Sequence, residues 1–429
     1  MRLNNEPHLI RIAHAMNPRS TLTTTIALAT LLLVNDQVAK AAETLSLIPD
    51  SAQSLGEAGG RFANLDDATA VRVSPASIAH AERPLLQFNT GLWHGDIKFS
   101  SVTGAKLEHQ DPWIIPGSVY AVMPIIPGKV AWGLGISTPY GLGTEYSKES
   151  PLRYAVPYES SLRTVSITPA LAWKASSNVS IGLGLDVMYG ALAFNQLVPT
   201  SPFTDGDFQF EADGWGVSGY GSIIWEITPN QRLALVGRLP IRVQMDGSFV
   251  AKGLPGNLPP GFSNRSDFDT EMTFPGSIAL GYGIDLTERL TLGFDFKWTA
   301  NSSHDDIPLN TSDSNNLLPT NSIQLKWKNS IDLGTGISYK INEAWKVRAG
   351  YLFSENSMPG STFTPSIPAY DRHIFSLGLG WKGKNNRVDL TYGFIYNPER
   401  TVNDAAQPAF NGSYKHQWHV LMVSVGHYF

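Results

Sequence analysis

The side chains that most often carry catalysis are scattered along this 429-residue chain rather than grouped at catalytic spacings. Cysteine is absent, which excludes disulfides, thiolate metal sites and cysteine nucleophiles. The ten histidines stand singly, without the His-Glu-x-x-His spacing that binds zinc, and no Gly-x-Ser-x-Gly turn occurs. A hydrolase could still pair a strand-borne histidine, His373 or His427, with a distant serine. We expect no enzyme, no metal site and no cofactor.

The bulk composition disfavours two further classes of protein. A net charge of −5 gives no indication of nucleic-acid binding. Only 16% of the residues are charged, yet the mean hydropathy is −0.11, and no apolar run long enough for a membrane helix lies beyond the N-terminal region. These values argue against a helical membrane protein.

Strand-type alternation dominates the chain from about residue 85 onward. In the segments 179–190, 290–299 and 388–396, every second residue is bulky and apolar. The residues between them are small or charged, and successive side chains of a strand point to opposite faces. A polar lumen inside a lipid-facing barrel explains this pattern best. The charged residues on the inner face are Asp186, Asp295, Lys297, Asp332 and Lys340.

The predicted fold is an all-β transmembrane antiparallel barrel of about 14 strands, an even number as bacterial barrels require. Short turns and long loops alternate between the strands, as periplasmic turns and extracellular loops do. The long loops are predicted at 104–115, 139–159, 193–212, 250–270, 302–321, 357–370 and 399–413.

The last strand, from Trp418 to Phe429, is predicted to close the barrel against the strand that starts near Leu85. This orientation places the chain end in the periplasm, where we expect the barrel-assembly machinery to bind Phe429. Tryptophans near both ends of the strands predict two aromatic girdles. The tryptophans near the short turns are Trp132, Trp173, Trp225, Trp345 and Trp381, and those near the long loops are Trp215, Trp298, Trp327 and Trp418.

The N-terminal region divides into two predicted parts. Residues 1–42 combine arginines, an apolar stretch and small residues, which is typical of a cleaved signal peptide; a membrane anchor would need a longer apolar run. Residues 43–84 are rich in small residues and lack alternation, so they are predicted to form a hatch that plugs the lumen of the barrel at 85–429. Together these parts predict a secreted protein of the outer membrane of a Gram-negative bacterium.

Short stretches in a specific order resemble one known family, the FadL/TodX outer-membrane transporters of long-chain fatty acids and other hydrophobic compounds. The resemblance covers nearly all of the chain beyond the signal peptide, although Ser74 stands where the family usually has asparagine. The stretches are 56–60, 66–68, 74–76, 140–146, 344–345, 348–351, 371–373 and the terminal Phe429, with Gly56, Asp66, Asp67, Ser74, Pro75 and Ala76 in the predicted hatch.

The resemblance implies a monomeric barrel in which ligand is captured by extracellular loops, passes an apolar interior and leaves sideways into the membrane by diffusion. A kink in the third strand opens the wall in that family. Pro139 and Gly141 are the candidates for it here, although an ordinary loop start explains them equally well. Expected partners are hydrophobic small molecules or fatty acids, and outer-membrane lipid and lipopolysaccharide; no nucleic acid is expected.

Two sets of residues are candidates for ligand binding. Apolar side chains in the loops 193–212 and 250–270 would form a groove, or else pack only against one another. Lys328 and Arg372 would bind a carboxylate, or else form ion pairs across the lumen with Asp332 or Asp371. Fatty-acid transporters of this family carry a further basic residue near the end of strand five, but residues 189–192 contain no arginine or lysine. This absence favours an uncharged ligand. The apolar candidates are Phe194, Phe203, Phe208, Phe210, Leu254, Leu258 and Phe262.

The predicted function is therefore uptake of hydrophobic compounds, fatty acids or hydrocarbons, across the outer membrane. A general water-filled porin for small polar solutes is the alternative, but a porin would lack the hatch.

Overall fold

The computed structural model describes residues 50–110, 113–201, 204–254, 263–303, 306–311 and 322–429. The predicted signal peptide at 1–42 lies outside the described residues, as do Phe203, Leu258 and Phe262. Within the described residues, no helix is both long enough and apolar enough to cross a membrane.

The described residues form one closed antiparallel barrel whose wall is crossed 14 times, as the alternation predicts. Three crossings consist of two consecutive strands, β5 with β6, β10 with β11, and β12 with β13, and one consists of β2, β3 and β4, which all pair with β1. Strands β15 and β16 form a separate hairpin. The strands are β1 Leu85–Ser101, β2 Lys106–Glu108, β3 Trp113–Ile114, β4 Gly117–Ile126, β5 Val130–Ser137, β6 Gly141–Glu145, β7 Glu159–Lys174, β8 Val179–Ser201, β9 Thr204–Thr228, β10 Gln231–Arg238, β11 Ile241–Lys252, β12 Arg265–Phe274, β13 Ser277–Asp285, β14 Leu290–Thr299, β15 Asp306–Pro308, β16 Ser322–Gln324, β17 Ser330–Lys340, β18 Trp345–Ser354, β19 Arg372–Lys382, β20 Asn386–Val402 and β21 Gly412–Tyr428.

The closing seam joins the first strand to the last along their whole length. Leu85 pairs with Tyr428 and Ser101 pairs with Gly412, so the predicted pairing is confirmed. On β21, Leu421 and Val425 are 43% and 47% exposed, whereas Met422 and Ser424 between them are buried and face inward. From Leu421 to Val425 the outward face is therefore apolar, as a lipid-facing wall requires.

Short helices precede the wall and lie inside the barrel as its hatch. They are α1 Ala52–Glu57, α2 Arg61–Asn64, α3 Ala70–Val73 and a 3₁₀ helix at Pro75–His80, and other 3₁₀ turns occur at Asn301–Ser303, Gly360–Thr362 and Pro408–Phe410. Helix α1 packs against β19 and β20, and the 3₁₀ helix packs against β7 and β8. Ser51 caps α1 by accepting a hydrogen bond from Ser54 N–H.

Glycine permits the close contact between hatch and wall. A Cβ on Gly59 would stand 2.2 Å from the Thr335 nitrogen, and one on Gly336 would stand 1.8 Å from the Glu57 carbonyl oxygen. Gly60 also has a φ of 81°, a conformation that other residues rarely adopt. Backbone therefore packs directly on backbone where α1 passes into α2.

Two predicted loops are largely strand. The loop predicted at 193–212 is wrong, since β8 and β9 continue through it to Ser201 and Thr204; the one at 250–270 is shortened from both sides by β11 and β12. These strands extend past the membrane because their apolar side chains pack inward on the extracellular half of the barrel. Two predicted girdle tryptophans, Trp327 and Trp418, are likewise buried inside rather than facing lipid.

Candidate functional site

The hatch is fixed to the wall by two buried arginines. Arg348 Nε lies 3.3 Å from Glu57 Oε1, and Arg348 Nη1 donates to Asp389 Oδ1 at 2.7 Å. Arg387 donates to Gln53 Oε1 at 2.7 Å and also contacts Asp389. Because charged hydrogen bonds of this kind are stronger than neutral ones, α1 is held firmly at this place.

Glu57 is a buried acidic residue of the hatch whose pKa is strongly shifted. Burial raises its pKa to about 7, against the attraction of Arg348 and Lys346. The attraction is incomplete because Arg348 stands closer to Asp389, and Glu57 Oε2 has no hydrogen-bond partner among the described residues. Near neutral pH this carboxyl therefore exists in both protonation states.

Above the hatch lies a cavity of about 120 Å³. Its apolar lining includes Phe62, Val73 and Trp327, but five cations also face it. The cations are Arg61, Arg72, Arg238, Lys297 and Arg372.

Four of these cations face carboxylates. The pairs are Arg61 with Asp295 at 3.5 Å, Arg72 with Asp50 at 2.9 Å, Arg238 with Asp186 at 2.8 Å and Lys297 with Asp332 at 3.4 Å. The charge of the lining is therefore largely neutralised within the protein.

Arg372, a carboxylate-binding candidate, lines this cavity and is buried. Its Nη2 donates to Ser354 Oγ at 3.1 Å, and the same hydroxyl donates to Asp332 Oδ1 at 2.6 Å. Ser354 thus links Arg372 to the carboxylate of Asp332 through its hydroxyl group.

Lys328, the other candidate, does not reach the lumen. It is exposed, and the strand predicted to carry it begins only at Ser330. The inward prediction was wrong because the chain from 325 to 329 is irregular and Lys326 has a φ of 50°, so that Leu325 and Trp327 turn inward instead.

An apolar cluster fills the extracellular half of the barrel above the cavity. Phe194, Phe208, Phe210 and Leu254, predicted as loop residues, all pack in this cluster. Phe210 stacks on Phe268 with ring centroids 4.4 Å apart, and Phe208 meets Phe249 edge-on at 5.1 Å. The structure thus gathers these four side chains, three on strands and Leu254 just beyond the end of β11. The cluster also contains Tyr140, Met245 and Met272, which sequence reasoning missed.

The wall is interrupted in the crossing that contains Pro139 and Gly141. Strand β5 pairs with β4 only as far as Ser137, which lies opposite Ser118. Beyond the break, β6 pairs with β7, and Gln110 N–H donates to Glu145 O on its other side. Tyr140 lies in the break, with its N–H donating to Thr164 Oγ1, and also lines the interior cavity.

Comparison with known proteins identifies the family. The model of the family "Outer membrane protein transport protein (OMPP1/FadL/TodX)" matches residues 32–429. The chain belongs to this family. It is therefore a transport protein of the outer membrane.

Relatives and solved structures agree with this assignment. The chain is 22% identical to the long-chain fatty acid transport protein of Escherichia coli K12 over 82% of this chain and 88% of that protein. Its fold resembles that of a FadL homologue from Pseudomonas aeruginosa, with a TM-score of 0.78 at 20% identity over 90% of this chain and 99% of that one. The toluene transporter TodX of Pseudomonas putida gives a TM-score of 0.70 at 17% identity over 90% and 100%.

No group of three or more histidine, aspartate or glutamate side chains that could hold a metal ion occurs in the described part of the chain.

Proposed function

We propose that this protein takes up small uncharged hydrophobic compounds, of the size of a monoaromatic hydrocarbon, by diffusion across the outer membrane. The observation that carries the proposal is the stacking of an apolar cluster, a small cavity and the hatch inside one barrel. Transfer from water to such a cluster is favourable by about 0.8 kcal/mol per CH₂ group.

The size of the cavity supports a small ligand. Its volume of about 120 Å³ is near the roughly 150 Å³ of an apolar protein cavity that binds benzene. A long acyl chain would need the hatch or the apolar cluster to move. The paired charges around the cavity support an uncharged ligand, since a carboxylate would compete with Asp50 and Asp332 for their cations.

The break at Pro139 and Gly141 supports sideways exit. A hydrophobic compound that leaves through the wall enters the membrane without crossing water, whereas passage through the hatch would expose it to polar surface. Below the hatch lies a periplasmic cavity of about 580 Å³ whose lining includes Lys340, Lys346, Asp66 and Asp285. A solute released there would still have to cross an aqueous space before it reached the membrane.

The proposal also covers the oligomeric state of the barrel and the molecules that surround it. The barrel acts as a monomer among lipid and lipopolysaccharide, and the barrel-assembly machinery recognises β21 with Phe429, which is 59% exposed at the periplasmic rim. Residues 43–84, with Gly56, Asp67, Ser74, Pro75 and Ala76 buried, act as the movable hatch.

The test is the initial rate of labelled toluene and labelled oleate entry into cells that lack the gene or carry it. We expect the gene to increase toluene entry more than oleate entry. Equal entry of both compounds with and without the gene, together with gene-dependent entry of a small sugar, would favour the water-filled porin instead.

A further inference from the structure

Two cavities share one hatch residue, Asp50, in their lining. The interior cavity is lined by Asp50, Arg72 and Tyr140, among others. A smaller cavity of about 20 Å³ lies at the wall break and is lined by Asp50, Ser118, Ser137 and others. Among the described residues that line the two cavities, Asp50 alone lines both.

We propose that the Asp50–Arg72 ion pair is the partition between the interior cavity and the wall break, and that it limits sideways exit of the substrate. This inference rests on the proposed function and adds to it the residues that control the exit step.

The pair is built into the hatch rather than lying loose at a surface. Arg72 Nη1 lies 2.9 Å from Asp50 Oδ1, and the two side chains are only 12% and 14% exposed. A buried pair of this kind holds each partner in place, because separating the charges leaves both poorly solvated.

Both ends of the pair are also tied to the wall. The Asp50 carbonyl oxygen accepts from Ser118 Oγ at 3.4 Å, on the strand that borders the break. The Arg72 carbonyl oxygen accepts from Arg238 Nη2 at 2.7 Å, and Arg238 Nη1 is paired with Asp186. The partition therefore spans from the edge of the break to the far side of the cavity.

The passage behind the partition carries hydroxyl and amide groups. Ser118, Ser137, Thr138 and Asn89 line the smaller cavity, and Asn89 Nδ2 donates to Ser118 Oγ at 3.0 Å. None of these side chains is ionised, so the ion pair is the group on this route that costs most to displace, because moving it aside leaves two charges poorly solvated.

The experiment measures the initial rate of labelled toluene entry for the full-length protein and for Asp50→Asn and Arg72→Met. We expect both variants to increase the rate severalfold, while entry of a labelled sugar stays at the wild-type level. Rates at or below wild type in both variants would overturn the proposal. Increased sugar entry would also overturn it, since that result would indicate general loss of the hatch.

Asp285→Asn provides the matched control. Asp285 pairs with Arg232 at 2.8 Å, and Arg232 also bonds hatch residue Asn64, but this pair lines the periplasmic cavity. We expect its toluene rate to equal that of wild type. A severalfold increase here as well would mean that any ion pair in contact with the hatch limits entry, which contradicts a specific role for Asp50. Failure of the proposed function is distinct, since wild type itself would then match cells without the gene.

A reversible crosslink allows the two states to be compared in the same folded protein. The chain has no cysteine, so Asp50→Cys combined with Ser118→Cys introduces a single thiol pair. We expect the oxidised protein to pass toluene more slowly than wild type, and the same protein after reduction to pass it faster than wild type. Equal rates before and after reduction, with the disulfide verified by mass spectrometry, would contradict the partition.

Discussion

Buried charges decide how individual residues of this barrel behave. Arg348 and Arg387 reach from the wall to Glu57 and Gln53 of the hatch, and Asp389 lies between the two guanidinium groups. Arg348 lies closer to Asp389 than to Glu57, so the negative charge of Glu57 is only partly neutralised. A residue that anchors the hatch is therefore also one whose charge depends on pH.

Glu57 predicts a pH dependence of hatch docking. Burial raises its pKa in the docked hatch from 4.5 to about 7, so between these values the docked form keeps a proton that an undocked hatch releases. Docking therefore weakens as the pH rises through this window and is strongest below it. Hydrogen exchange of the α1 amides should become faster, after correction for intrinsic rates, from about pH 5 to about pH 8.

Glu57→Gln is the control for that prediction. The amide cannot ionise, so its corrected exchange rates should change little across the same window. An unchanged pH dependence in this variant would assign the effect to another group.

The environment of Arg372 predicts that the ligand carries no carboxylate. Because Ser354 links it to Asp332, we expect Arg372→Met to leave toluene entry within about twofold of wild type, and not to reduce oleate entry selectively. Initial rates for the two compounds provide the measurement. A selective loss of oleate entry would instead identify Arg372 as a carboxylate-binding residue. Lys328→Met is a solvent-exposed control.

At the scale of elements, side-chain alternation predicted orientation correctly in regular strands and incorrectly where the backbone is irregular. The alternation of β21 predicted its lipid face and its partner strand correctly. The same counting failed at Lys328, because one residue with positive φ reversed which side chains face inward. The alternation of β8 and β9 also did not reveal their length, since inward packing beyond the membrane determines where they end.

A substitution at Gly59 should disturb the contact between the hatch and the wall. An alanine there would place its Cβ 2.2 Å from backbone atoms of β17, which cannot move aside as a flexible side chain can. We expect Gly59→Ala to displace the hatch and increase ion conductance of the purified protein in planar bilayers. Gly237→Ala is the control, because no atom lies within 4 Å of its Cβ position. Wild-type conductance in Gly59→Ala would contradict the tight contact.

At the scale of the whole molecule, the hatch separates two chemically different spaces. The extracellular half is an apolar cluster, whereas the periplasmic side is a charged cavity of about 580 Å³. A barrel of this strand number would enclose water if its lumen were empty. The hatch therefore determines whether the protein behaves as a selective transporter or as an open pore.

Removal of the hatch tests this division. Deletion of residues 52–80 should convert the protein into a channel that conducts ions and admits small sugars, because the wall keeps its own strand pairing. Conductance in planar bilayers measures the change, and the retained barrel is checked by its resistance to unfolding in detergent gels at room temperature. A hatch-free barrel that remains closed would show that the apolar cluster alone seals the lumen.

The sequence alone determined the barrel, because side chains that alternate between lipid and lumen leave a period of two in every wall strand, and its short stretches indicated the family. It also offered Pro139 and Gly141 as candidates for a kink, with an ordinary loop start as an equal alternative. Only the tertiary structure decided which charges pair and which side chains share a cavity. Glu57 and Arg348, or Arg61 and Asp295, lie on the hatch and on distant wall strands, and only folding of the hatch into the barrel brings them together.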